Sequence, residues 1–361
     1  MRIGLECFQD EQLRSMIISE HRLGRCDVYG RDDCIIYDTD EDSYLAESLA
    51  ELLDVFTVAK RLNADDADDR VRYLGSFFKE WKLFSAEEAQ IQEIVKAICS
   101  ERYQEEPELF DEKVTIREFF SAEAMEKNCI LENGKWDDFC YDIKHVNRFH
   151  SRQFNFEQLK KLLGILTIDI EKGTLRLFRS RICDERAYSD GFLTREMGAP
   201  PIEYATAGRT NSEGIPCLYL AADMETTFHE VRARDYDHVT VGEFIQTEDL
   251  KLVDFSLLDK IGPFSSPDFD KTWFAINIGI IRKIGDEVAK PMRRFDRTLD
   301  YIPTQYICDY IKYSGYDGIR FNSTLKNKGI NYAVFDAGKL HCIKTEVIEI
   351  NNVDYRYETF R

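Results

Sequence analysis

Two separated stretches of this chain carry side chains suited to binding an anion and to stabilising a developing cation. The first runs LFRSRICDERAYSDGFL (Leu177 to Leu193) and resumes as GRTNSEGIPCLYLAADMETTFHEVR (Gly208 to Arg232). The second is YIPTQYICDYIKYSGYDGIRFNSTLKNKGINYAVFD (Tyr301 to Asp336). Arg179 closes an apolar run, and its planar guanidinium can donate two hydrogen bonds to a phosphate. Its plain alternative is an inter-strand salt bridge. Tyr219 lies in CLYLA, where strand alternation turns Leu218 and Leu220 to the other side. Its ring can stack on a flat ligand; otherwise it is an ordinary core tyrosine. Glu230 sits on the buried-side spacing of a short helix, and its carboxylate can accept hydroxyl hydrogen bonds or face a cation. Ser323 follows the apolar run IRF, where it can orient a neighbour or simply start a turn.

Several neighbours compete for these roles. Arg209 in GRTN can reach a phosphate or pin its own loop through Asn211, and the two readings weigh equally. Arg181 is two residues from Arg179, so both point to one face of a strand. Glu225 and His229 flank Glu230 and read as solvated helix residues. Thr304, beside Gln305 and after Pro303, has the position of a helix-start residue.

The elements that must hold these residues follow from hydrophobic period. Up to about residue 170 the spacing is helical: Glu11 to His21, Ser43 to Phe56, Asp69 to Trp81, Glu87 to Cys99, Ile116 to Met125, Asp137 to His150 and Phe154 to Leu166. One early run, CIIYD, reads as a strand. After Gly173 the period changes to strand-like runs. These are Leu175 to Arg179, Pro216 to Ala221, Val239 to Ile245, Leu250 to Phe255, Gly318 to Phe321, Asn331 to Phe335 and Ile343 to Ile350. The expected class is α+β, with a boundary near Glu171. The expected division is a small segment 1–40, a helical domain 41–170 and a catalytic domain 171–361.

Composition narrows the function classes. A 43% hydrophobic fraction with 24 Phe and 18 Tyr supports a packed core. The charge is uneven: residues 1–160 hold 21 Lys and Arg against 36 Asp and Glu, a net −15 of the total −19. An acidic first half disfavours nucleic acid as a partner, whereas the near-neutral second half suits an anionic small molecule. No apolar run approaches the roughly 20 residues needed to span a bilayer. MRIGLECFQDEQLR has no apolar signal core, so no membrane role and a cytoplasmic location are expected. Ten cysteines at irregular spacing, none in a CxxC pair, read as reduced thiols.

Arginine, glutamate and serine in this order and in these frames resemble the RES-domain family, named for those three residues. The resemblance spans roughly residues 170 to 345. It implies an ADP-ribosyltransferase-like split sheet and an enzyme that consumes NAD as a substrate, with no cofactor. By position in the family, Arg179, Glu230 and Ser323 would be catalytic. Arg179, Arg209, Tyr219 and Ser323 would bind NAD. The spacing of Tyr219 and Glu230 matches the family. The implied reaction cleaves the nicotinamide–ribose bond, by a glycohydrolase or phosphorylase route, in a toxin or antiphage defence effector. Transfer of ADP-ribose to a protein or nucleic acid is the alternative, and a binding or sensor module with a dead catalytic half is the third. An antitoxin or regulatory protein and a homo-oligomer are the implied partners.

WDDFCYDIKHVNRFHS (Trp136 to Ser151) and CFQDEQLR resemble the helical HEPN-like region found ahead of some RES domains. Such regions carry an arginine followed a few residues later by a histidine. Here Arg148 is two residues before His150, a departure that argues against ribonuclease activity. The paired cysteines of a zinc knot are reduced to Cys7 and Cys26, with Gly4 and Tyr29 at the other positions. His21 and Cys34 fit no regular knot, so no metal site is expected. No Walker loop, GxGxxG fingerprint, HExxH or GxSxG elbow occurs either. A regulatory or assembly role is left for the first half.

Overall fold

A computed structural model describes residues 1–132, 134–183, 190–266, 268–290 and 297–354. Residues 184–189 of the first quoted stretch lie outside the described residues. The chain is α+β, as its periodicities imply, and divides into two compact units. The first comprises Met1–Lys135, Arg152–Gln158 and Asp259–Ile281, and the second Trp136–Ser151, Leu159–Leu258 and Arg282–Arg361.

The first unit is mainly helical. Helix Glu11–Ser19 starts at Asp10, whose carboxylate accepts from the amides of Gln12 and Leu13 at 2.9 and 3.0 Å. Such a cap is worth about 1 kcal/mol. Leu45, Leu49, Leu52 and Leu53 of helix Tyr44–Leu53 are fully buried. Phe56, Phe77, Phe78 and Trp81 pack ring on ring, and Phe274 meets Trp81 edge-on. Strands β1 (Arg2–Gly4), β2 (Leu23–Gly24) and β3 (Cys34–Asp38) form a small sheet in the order β1-β3-β2.

The helix expected from Ser43 to Phe56 is shortened here. The run expected to continue to Phe56 ends at Leu53, and Phe56–Val58 (β4) pairs antiparallel with Val114–Ile116 (β5). β-Branched residues on both partners fit a buried ladder better than a helix. The Cys7 and Cys26 sulfurs lie 3.7 Å apart in buried surroundings. Burial, with Cys26 alongside, pushes the Cys7 thiol well above its usual range. Among the described residues no group of three or more His, Cys, Asp or Glu could hold a metal ion. No described helix is long and apolar enough to cross a membrane.

The second unit is built on an eight-stranded mixed sheet. Its strands are β6 (Thr167–Ile170), β7 (Arg176–Ile182), β8 (Leu218–Ala221), β9 (His238–Gln246), β10 (Leu250–Asp254), β11 (Gly318–Asn322), β12 (Ile330–Val334) and β13 (Leu340–Glu349). Their order is β13-β9-β7-β8-β12-β11-β10-β6. β10 and β11 run parallel, and the other neighbours are antiparallel. β7 pairs with β9 from Arg176↔Ile245 to Ile182↔Val239. With β8 it pairs at Phe178↔Ala221. Beyond that point the two strands part, and the sheet is split there. Leu177, Leu218, Leu220, Phe244, Leu252 and Val334 form the core on this sheet.

Candidate active site

Where β7 and β8 separate, the second unit opens a cleft of about 350 Å3. Arg179, Arg209, Tyr219, Glu230, Lys290 and Asn331 are among the residues that line it. Its volume suits a small molecule. Two arginines and Lys290, the last paired with Glu287 at 3.2 Å, line it with one carboxylate, which favours an anionic ligand with one electron-poor centre.

The β7 side holds Arg179. Its Nη1 donates to the carbonyls of Met197, at 3.3 Å, and Gly198. No carboxylate among the described residues forms an ion pair with it. Burial, followed by repulsion from Arg181, lowers its pKa to about 10, so it stays charged at neutral pH. A guanidinium anchored by carbonyls but lacking an anion is ready to take one from a ligand. Arg181 is used elsewhere: it donates to the Glu196 carbonyl at 2.7 Å and covers the Phe192 ring at 3.9 Å.

Tyr219 alternates with buried Leu218 and Leu220, as its strand pattern requires, and is 37% exposed. Its hydroxyl is enclosed: it donates to Asn211 Oδ1 and accepts from Thr210 Oγ1, both at 2.6 Å. Burial accordingly pushes the phenol well above its ordinary range. The ring is thus the part available to a ligand. Gly208 is required by this arrangement, because a Cβ there would lie 2.6 Å from the Tyr219 hydroxyl.

The loop before β8 is held from within and from a distance. Asn211 Nδ2 donates to the carbonyls of Thr206 and Ile215 at 3.0 and 2.9 Å. Gln305 Nε2 donates to the carbonyls of Gly208 and Asn211 at 2.7 and 3.0 Å. Asn211 pins the loop, and Arg209 faces the cleft with its guanidinium 5.0 Å from the Tyr301 ring centre. Thr304 returns its hydroxyl to the Tyr301 carbonyl at 3.0 Å, a local helix-start bond.

Glu230 ends helix Met224–Glu230, which is capped by Asp223 accepting from the Thr226 amide at 2.9 Å. Thr227 bonds Ser180 and ties this helix to β7. Glu230 Oε1 accepts from Ser323 Oγ at 2.8 Å and from Asn331 Nδ2 at 2.7 Å. Ser323 also accepts from the amides of Leu325 and Lys326, at 3.2 and 3.3 Å. It therefore serves as both turn residue and partner of Glu230. It does not itself line the cleft, but reaches it through that carboxylate. Glu225 is spent on Lys326 at 2.8 Å, and neither it nor His229 lines the cleft.

The five residues picked from sequence thus gather at one place, four on the cleft wall and Ser323 behind Glu230. Sequence reasoning missed Asn331 and Lys290 as members of the site and Gln305 as the anchor of its loop.

A family model described as the RES domain matches residues 177–357, half of the chain. The chain belongs to the RES-domain family. The RES match contains Arg179, Arg209, Tyr219, Glu230, Lys290, Ser323 and Asn331, together with the other residues that line the cleft. Among solved structures, this RES-domain chain is similar to one in the crystal structure of the M. tuberculosis MbcT-MbcA toxin-antitoxin complex. There the identity is 12% and the TM-score 0.31, over 53% of this chain and 91% of that one. No curated protein matches.

Proposed function

We propose that this RES-domain protein binds NAD in the cleft and cleaves its nicotinamide–ribose bond. One observation carries the reading: a single carboxylate, Glu230, held by two donors, shares a small cleft with an exposed tyrosine ring and an arginine that has no counterion among the described residues. Arg179 would take the diphosphate or the nicotinamide-side ribose, with Arg209 as a further cation. The Tyr219 face would stack on the nicotinamide ring. As the C1′–N bond breaks, its electron pair leaves with neutral nicotinamide and the ribose acquires oxocarbenium character. Glu230 would oppose that charge and accept hydrogen bonds from the ribose hydroxyls, while Ser323 keeps the carboxylate oriented. The oxygen of water or phosphate then bonds to C1′, and water loses its proton to solvent. NAD is consumed as substrate, so no cofactor is needed.

Family membership further suggests a toxin or defence effector restrained by an antitoxin or regulatory protein. The acidic first half would then serve regulation or assembly, with a cytoplasmic location. Incubating purified protein with NAD, with and without phosphate and cell lysate, and weighing the products by mass spectrometry tests the activity. Free nicotinamide with ADP-ribose supports hydrolysis, and with its 1-phosphate supports phosphorolysis. ADP-ribose attached to a macromolecule supports transfer instead. Unchanged NAD under all three conditions removes the enzyme reading.

A further inference from the structure

Asn331 sits in β12, opposite Ala221 of β8 and Phe321 of β11. It is 7% exposed, yet it lines the cleft. Its Nδ2 donates to Glu230 Oε1 at 2.7 Å. That bond fixes which end of the amide faces the carboxylate, since a carbonyl oxygen there would repel it. Its Oδ1 is closed off from solvent and has no hydrogen-bond partner among the described residues. A buried acceptor left unmade weakens a fold, and an apolar side chain on this strand would avoid the penalty. Fold stability therefore gives no reason for an amide at this position; holding Glu230 does.

The geometry around Glu230 sharpens this. Ser323 Oγ and Asn331 Nδ2 both reach Oε1, whereas Oε2 receives no hydrogen bond from a described residue. Two donors on one oxygen fix the carboxylate's rotation and leave the other oxygen for a ligand. We infer that Asn331 is a positioning residue that presents the free oxygen of Glu230 to the substrate ribose. This rests on the NAD reading for the identity of that substrate, but not for the hold on Glu230.

Three measurements decide it: steady-state kinetics with NAD, thermal melting, and crystal structures of wild type and Asn331→Leu. Asn331→Leu is expected to lower kcat about 10- to 100-fold with little change in KM, as a misplaced catalytic group does. Its melting temperature should be no lower than wild type. Asn331→Asp places a second carboxylate against Glu230, and such a pair retains a proton at acidic pH. That proton restores a donor, so kcat of Asn331→Asp should recover as pH falls while Asn331→Leu stays low. Arg179, Arg209 and Lys290 also face the cleft and His229 adjoins Glu230 in the chain, so both variants are compared with a parallel wild-type profile. A wild-type kcat in Asn331→Leu, a change confined to KM, or identical pH profiles for the two variants would overturn the inference. So would a Glu230 carboxylate unmoved in the Asn331→Leu crystal structure. If wild type leaves NAD intact, the proposed reaction fails, and the crystallographic comparison still decides the role of Asn331.

Discussion

The two walls of the cleft are built on opposite logics. On the β7 and β8 side, polar groups are tied to backbone carbonyls and to one another: Arg179 to Met197 and Gly198, Tyr219 to Thr210 and Asn211, the loop to Gln305. What that wall leaves over is the face of a ring and a guanidinium with no anion among the described residues. On the other side, two donors converge on one oxygen of Glu230, and the second receives no hydrogen bond from a described residue. The first wall offers interactions that a bound ligand enjoys throughout the reaction. The second offers a charge whose value rises as the sugar becomes cationic. Binding and acceleration are therefore separable by kinetics.

Glu230→Gln should give the largest effect, lowering kcat by roughly 10²-fold or more with a folded protein and modest change in KM. Normal turnover in that variant breaks the comparison outright. Arg179→Lys comes next, since a point charge does not reproduce a fork held by two carbonyls. The expected loss in kcat/KM is about 10-fold or more, appearing largely in KM, and isothermal titration with NAD should show it directly. Gln305→Ala frees two loop carbonyls and should raise KM about three- to tenfold while sparing kcat, because the loop belongs to the binding wall. Tyr219→Phe is the smallest change. It keeps the ring but removes an enclosed hydroxyl, so stability should drop by about 1 kcal/mol in denaturant titration while turnover stays within about twofold.

How much of this was legible in the sequence depends on the range of the contacts involved. Strand alternation around Tyr219 and the place of Ser323 just beyond β11 are local facts, and the chain states them locally. Helix Lys271–Ala289 went unread, although Phe274, Ile278, Ile281, Ile284 and Val288 lie buried along it. β6 was given no element, because Thr167–Ile170 becomes a strand through pairing with the distant β10. Asn331 was passed over, and Gln305 was noted beside Thr304 without its hold on the loop, for the same reason. Each reaches its partner across about a hundred residues, and nothing beside it in the chain marks that reach. The compact units also interleave along the chain: residues 259–281 belong to the first, and 136–151 to the second. A fragment beginning near Phe154 would strip Phe274 of Trp81 and the second unit of Trp136–Ser151, so it should fold poorly.

The most direct test is the release of free nicotinamide from NAD by wild type and Glu230→Gln at matched concentration, with both proteins shown to be folded by circular dichroism. Steady release by wild type and a rate lower by roughly 10²-fold or more in the variant is the expected result. No release by wild type, or equal release by both, would contradict a cleft in which Glu230 drives cleavage of the nicotinamide–ribose bond.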